Sequence, residues 1–230
     1  MTVTKRSKRM REALAGVDRN QTYGAAEAFE LLKSLPAPKF DESFELVVRL
    51  GVDPRKSDQQ VRGAVSLPKG LGKDVFIAVF AEGANAEAAE AAGADVVGSG
   101  DLADRIAGGW MDFDIVIASP DMMKHVGKLG KVLGPQGKMP SPKSGTVTPN
   151  VADAVTEFKA GKVEFRTDAG ANVHAPIGKR SFSTEDLMAN FGAFMDHLVG
   201  MRPAAVKGEY VRRVSVSTSM GPGARVQFGA

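Results

Sequence analysis

Val75-Phe76-Ile77-Ala78-Val79-Phe80 is a short, nearly continuous apolar run, the composition of a strand covered on both faces. Phe113–Ala118 repeats the pattern, and Ala94–Val97 is a weaker third candidate. An alanine-rich helix over Asn85–Ala92 and a short one over Asp101–Ala107 fall between these runs. Ser119 followed by Pro120 predicts a further helix, capped by the serine with proline in its first turn. Met123, Val126 and Leu133 would face inward from it. Asn150 is placed to cap another helix, whose stripe is Val151, Ala154, Val155 and Phe158. The β-α-β-α order predicts an α/β unit around a largely parallel sheet, joined by right-handed crossovers.

On either side the period changes. Upstream, Met10, Ala13, Leu14 and Val17 form one short helical stripe, and Ala25, Ala28, Phe29 and Leu32 form another that Pro36 and Pro38 stop. Phe44, Leu46, Val48 and Leu50 then alternate with polar positions, as in a strand with one covered face. Val61, Val65 and Leu67 suggest a second strand. Downstream, Val163 and Phe165, then Val173, Ala175 and Ile177, alternate in the same way. A helix after Ser183 buries Leu187, Phe191, Phe194 and Leu198, and a last strand places Tyr210, Val214 and Val216 on one face. Neither terminal piece builds a good core alone, so the two are expected to combine. The predicted class is α/β with two domains: a discontinuous α+β domain, 1–68 plus 159–230, interrupted by an inserted α/β domain, 69–158.

Charge follows the same division. The net charge is only +3, but the two terminal segments together carry +7 and the insert −4. A domain with that excess attracts a phosphate backbone, although surface charge also serves solubility. Cysteine is absent, which excludes disulfides, thiolate metal sites and cysteine catalysis and fits a reducing compartment. No 18-residue apolar run suggests a membrane span. The basic start has no apolar segment behind it and does not read as a signal peptide.

Three basic stretches are candidates for RNA contact. Lys5, Arg6, Lys8 and Arg9 belong to a run with five cations in seven residues, which suits either phosphate contacts or a solvated tail. Arg55, Lys56 and Ser57 lie in a loop of acids, amides and cations, open to RNA contact or to solvation alone. Lys131, Gln136, Lys138 and Lys143 surround a glycine- and proline-rich loop in the insert, either RNA-facing or structural. His174 lies on the polar side of a strand, where RNA contact and a structural hydrogen bond are both open.

Enzyme motifs fail on inspection. Gly70 and Gly72 precede a strand instead of following one, so they make no dinucleotide fingerprint. At Gly137-Lys138, a phosphate-binding loop would need glycine where Val132 stands and serine or threonine where Met139 stands. His125, His174 and His197 are dispersed, and Asp112 and Asp114 read as caps or edge residues. No catalytic, cofactor or metal residues are assigned. The rival readings are a nucleotide-binding enzyme and a generic interaction scaffold.

Longer runs are more specific. Gly51-Val52-Asp53-Pro54-Arg55-Lys56-Ser57-Asp58-Gln59-Gln60-Val61-Arg62-Gly63 resembles a signature region of the bacterial L1 family of large-subunit ribosomal proteins. So do Gly83–Ala89, Ala118–Asp121, Leu133–Pro140 and the terminal Ser217-Thr218-Ser219-Met220-Gly221, in family order and over nearly the whole chain. The resemblance implies a noncatalytic RNA-binding protein whose inserted domain is Rossmann-like and three-layered. It implies 23S rRNA as the main partner, with Phe40, Glu45, Ser219, Met220 and Gly221 at contact positions. Phe40 would pack on sugar or base, Ser219 and Glu45 would hydrogen-bond, and Gly221 would allow close approach. It further implies a mobile stalk of the large ribosomal subunit in the cytoplasm, contact with exit-site tRNA, and repression of its own operon mRNA. Gln136, Ser141 and Ser219 depart from the family's usual basic residue, asparagine and threonine.

Overall fold

The computed structural model describes residues 6–18 and 20–229. In chain order the elements begin with α1 (Lys8–Ala15), β1 (Thr22–Tyr23), α2 (Ala25–Ser34), β2 (Ser43–Leu50) and β3 (Arg62–Ser66). There follow β4 (Ile77–Phe80), α3 (Ala84–Ala91), β5 (Val96–Gly98), α4 (Gly100–Ala107), β6 (Ile115–Ala118), α5 (Met123–Val126), α6 (Gly130–Leu133) and α7 (Val151–Ala160). The chain continues with β7 (Lys162–Arg166), β8 (Asn172–Lys179), α8 (Thr184–Gly200), β9 (Val211–Thr218) and β10 (Gly223–Val226).

Two compact units result: Met1–Gly72 with Val163–Ala230, and Lys73–Lys162. These breakpoints lie four residues beyond those read from sequence, for a local reason. The buried Asn190 amide accepts the Lys69 N–H at 3.0 Å and donates to the Gly70 carbonyl at 3.0 Å, tying that segment to the first unit. Lys159 pairs with Asp95 at 3.6 Å, which keeps the end of α7 with the second.

The first unit is built on a five-stranded sheet in the order β1-β10-β9-β2-β8, antiparallel except for β1 against β10. The alternation in β2 works as expected: Phe44, Leu46, Val48 and Leu50 are buried, with α2 and α8 against that side of the sheet. Phe29 of α2 meets the Phe44 ring edge-on at 5.5 Å. The β3-β7 ribbon packs on α8, with Phe165 and Phe194 rings 5.2 Å apart. The opposite face of the large sheet is left uncovered, exposing Glu45, Arg49, His174 and Arg213.

The second unit is a parallel sheet, β5-β4-β6, between helices on both faces. Ala78, Phe80 and Val116 pack towards α4 and the 120–133 segment, while Ile77, Val79 and Ile117 pack towards α3 and α7. Both faces are covered, so these strands are apolar at every position.

Several local expectations change. The strand from 75 begins at Ile77, because the Asp114 carboxylate takes the Phe76 N–H at 3.1 Å. The helix after Ser119 is a series of short turns, with Gly127 and Gly130 where they join. Neither Ser119 nor Asn150 makes a side-chain cap bond. Tyr210 precedes the last long strand, and β10 follows it unforeseen. Regular alternation would send Arg212 and Arg213 to opposite faces, but Arg49 pairs with Arg213 and Leu50 with Val211. The resulting bulge leaves both arginines exposed.

Candidate nucleic-acid interface

One end of the large sheet brings together residues far apart in sequence. β9 ends at Thr218, and the chain crosses the start of β2. Ser219 donates its N–H to the Ser43 carbonyl at 3.0 Å, and its hydroxyl accepts the Ser43 N–H at 3.1 Å. The next N–H, from Met220, is donated to Glu42 Oε1 at 2.9 Å. Glu42 is only 1% exposed, and Arg180 Nη1 holds its other oxygen at 3.1 Å. Arg180 also donates to the carbonyls of Lys33 and Leu35, where α2 ends. A buried ion pair thus links the α2 terminus, the start of β2 and the turn after β9.

Above this support two large apolar side chains stand in solvent. Phe40 is 54% exposed and Met220 is 50% exposed, although neighbouring apolar residues are buried. Arg9 braces the same place, donating to the Met220 carbonyl at 3.0 Å and the Pro36 carbonyl at 3.3 Å. Glu45 is exposed on the open face, opposite Ser217 of β9. The end therefore offers an aromatic ring, a thioether, a carboxylate and backbone polar groups on fixed elements, a set suited to unstacked bases and sugars.

Of the residues expected from sequence, Phe40, Glu45, Ser217, Ser219, Met220 and Gly221 meet at or beside this end. Thr218 needs correction, and Gly221 and Ser219 already have partners within the fold. Thr218 is 5% exposed and points into the fold, so it is no contact residue. At Gly221, a Cβ would fall 2.2 Å from Thr218 Oγ1; its smallness is already required within the protein. The Ser219 hydroxyl is engaged with Ser43 before any ligand arrives.

The basic start divides. Lys5 lies outside the described residues, Arg6 and Lys8 are exposed, and Arg9 is a brace within the fold, not part of a loose tail. From Lys8 the run is helical, and the Ser7 hydroxyl caps it by accepting the Met10 N–H at 3.2 Å.

Arg55, Lys56 and Ser57 are exposed, but they follow the other end of β2. About 3.3 Å per strand residue separates them from Phe40 by more than 20 Å. The loop's polar side chains serve the loop itself. Gln59 accepts the Asp53 N–H at 2.8 Å and Asp53 accepts the Arg55 N–H at 3.1 Å, leaving the cations facing out. A groove of about 510 Å³ there is lined by Lys56, Lys207 and Arg212 among others.

His174 is exposed on the open face and pairs with Asp168 at 3.2 Å. Burial opposes ionisation of Asp168, but the Asn172 backbone and amide, His174 and the Gly170 N–H outweigh it and hold the carboxyl down at about 2.

In the second unit Lys131, Gln136 and Lys143 are exposed. Lys138 is not available. Its ammonium donates to the carbonyls of Phe113 at 2.5 Å and Met111 at 3.2 Å and lies over the Phe113 ring. It anchors the glycine-rich loop instead of facing RNA. Ser141, where the family favours asparagine, accepts the Lys143 N–H and so still starts the next turn.

Sequence reasoning missed Glu42 and Arg180, and also Arg49 and Arg225. The period-two pattern puts Arg49 on the polar side of β2, a usable signal, whereas Arg225 depends on an unanticipated strand. Among the described residues no cluster suited to a metal ion occurs, and no helix is long and apolar enough to cross a membrane.

Comparison with known proteins agrees with the motif reading. Over 224 residues the chain is 58% identical to the large ribosomal subunit protein uL1 of Chromobacterium violaceum, covering 97% of each chain. It is 56% identical to that of Laribacter hongkongensis, over 97% of this chain and 96% of the relative. The profile of the Ribosomal protein L1p/L10e family matches residues 31–222. Full-length similarity at this level, with the matched runs in order, shows that the chain belongs to the ribosomal protein L1p/L10e family, whose members are structural and not enzymes.

Proposed function

We propose that this protein works in the cytoplasm as a structural component of the large ribosomal subunit and binds 23S rRNA through the Phe40–Met220 end of its first unit. That unit is the main RNA-binding domain and the Rossmann-like second unit is an insert. The observation that carries the reading is the pair of exposed apolar side chains, Phe40 and Met220, with the Met220 backbone held by the Glu42–Arg180 pair. An exposed aromatic ring gives a stacking surface and the polarisable Met220 side chain an adaptable packing surface, which favours a folded RNA with splayed bases. The surrounding unit carries 21 basic against 15 acidic side chains, net +6, which adds attraction without sequence preference.

On the ribosome the protein forms the mobile stalk and assists release of deacylated tRNA from the exit site. Exposed Arg55 and Lys56, at the other end of β2, are free to meet a second RNA while the Phe40 end holds rRNA. The same recognition end lets a similarly folded site on its operon mRNA compete, which makes the protein a translational repressor. Exposed Lys131, Gln136 and Lys143 provide further contacts from the second unit.

The test is binding of the intact protein to its rRNA stem and to a scrambled RNA of equal length across a salt series. Specific binding should survive near-physiological salt for the stem only, and the double replacement Phe40→Ala, Met220→Ala should remove most of it with the fold intact. Equal affinity for both RNAs would overturn the reading.

A further inference from the structure

The chain has ten methionines and no cysteine, so thioethers are its only sulfur. Met1 lies outside the described residues. Of the other nine, Met122 and Met195 are buried, six are partly covered, and Met220 alone is exposed. The partly covered ones have packing partners: Met111, Met123 and Met139 lie against the core of the second unit, and Met188 and Met201 against that of the first. A small oxidant in solution therefore meets the Met220 sulfur before any other described one.

The surroundings of Met220 separate its backbone from its side chain. The backbone is held on both sides: its N–H is donated to Glu42 Oε1 at 2.9 Å, and its carbonyl accepts Arg9 Nη2 at 3.0 Å. The thioether stands in solvent beside this support. Conversion to the sulfoxide turns a flexible apolar group into a polar, chiral one. In the free protein water solvates the new oxygen, and the bonds that hold the turn are untouched. Under a sugar or base the oxygen must shed that water, and burying a polar group without a new partner is unfavourable. The two chemical states of the residue thus differ in affinity for RNA while the fold stays the same. That difference between bound and free states is what a switch requires.

We infer that Met220 is a reversible oxidation site through which hydrogen peroxide weakens the protein's hold on rRNA. The O–O bond of the peroxide breaks as one oxygen bonds to Met220 Sδ. The sulfur is oxidised by two electrons, and the departing hydroxide takes the proton of the transferred hydroxyl and leaves as water. Bound rRNA covers the sulfur, so the free protein is the target. Methionine sulfoxide reductases, one for each sulfoxide epimer, reverse the step. They release the oxygen as water while a dithiol is oxidised to a disulfide. The inference rests on the rRNA-binding reading above and adds a control to that same site.

The full-length chain is treated with dilute hydrogen peroxide, freed of it, and then titrated with the rRNA stem across a salt series. Peptide mass analysis should find the first added oxygen at Met220. Affinity should fall by on the order of tenfold, the upper end of what a thioether–aromatic contact contributes. The salt slope and the melting temperature should not change, because no charge and no contact within the fold is lost. The two reductases with dithiothreitol should restore affinity, and dithiothreitol alone should not. Met220→Leu, compared with its own untreated form, should lose no affinity on the same treatment. If that chain is poorly folded, recovery with the reductases decides the matter. Excess stem present during the treatment should delay oxygen addition at Met220. Oxygen appearing first at another methionine, or an oxidised Met220 with unchanged affinity, would overturn the site and leave the rRNA reading standing. Equal binding of stem and scrambled RNA by the untreated protein would sink that reading, and the switch with it.

Discussion

Arg180 holds the buried carboxylate of Glu42 at 3.1 Å, and the other oxygen of that carboxylate receives the Met220 N–H. The exposed recognition end therefore stands on an ion pair whose carboxylate is out of water. Removing one partner from a buried pair strands a charge, at about 3–5 kcal/mol. Arg180→Ala should lower unfolding free energy by about that much in urea titration. Adding Glu42→Gln should recover part of the loss, because no buried charge then remains unpaired.

A second test concerns Gly221. Its Cβ position lies 2.2 Å from Thr218 Oγ1, closer than real atoms approach. Gly221→Ala should cost about 1–3 kcal/mol through forced displacement, and RNA affinity should fall with the turn's geometry. Thr218→Ala in the same chain should restore much of both. Recovery of stability without recovery of RNA affinity would show that Gly221 is needed by the RNA itself.

Lys138 separates structure from binding in the second unit. Its ammonium satisfies two carbonyls. Lys138→Met should cost about 1–3 kcal/mol for the groups left unsatisfied, read by thermal unfolding. The salt slope for rRNA should not change. A reduced slope at unchanged stability would return Lys138 to the RNA surface.

Asp168 makes a pH test with a defined sign. Its carboxyl is held at about 2, below the ordinary 3.8, by hydrogen bonds that exist only when folded. A depressed acid stabilises the fold fully above its unfolded value, so this contribution is present above about pH 4 and fades towards pH 2. The stability difference between the unmodified protein and Asp168→Ala should shrink across that window in acid titrations. The side chain is 41% exposed, so solvent screening keeps the effect modest.

The periodicities were sufficient for most elements because each reports a local fact. Alternation in Phe44–Leu50 specifies one covered face, and continuous apolarity in Ile77–Phe80 specifies two. They failed where pairing partners intervened. The Arg212 bulge follows from register against Arg49 and Leu50, and β10 exists because β9 and β1 offer it hydrogen bonds. The residues of the interface were legible mainly as family motifs. Composition alone drew attention to Lys138, which turned out to be a loop anchor.

The sequence by itself determined most of the elements, the charge contrast between segments and the family, since these depend on residue type and spacing along one chain. Tertiary structure decided which charges are free. Arg9, Lys138 and Arg180 end on carbonyls or a buried acid, whereas Arg49, Arg213 and Arg225 are left facing outward without ion pairs among the described residues. The physical reason is that a cation's availability depends on which acceptors reach it. Those acceptors come from strands and turns up to 211 residues away, as with Arg9 and the Met220 carbonyl.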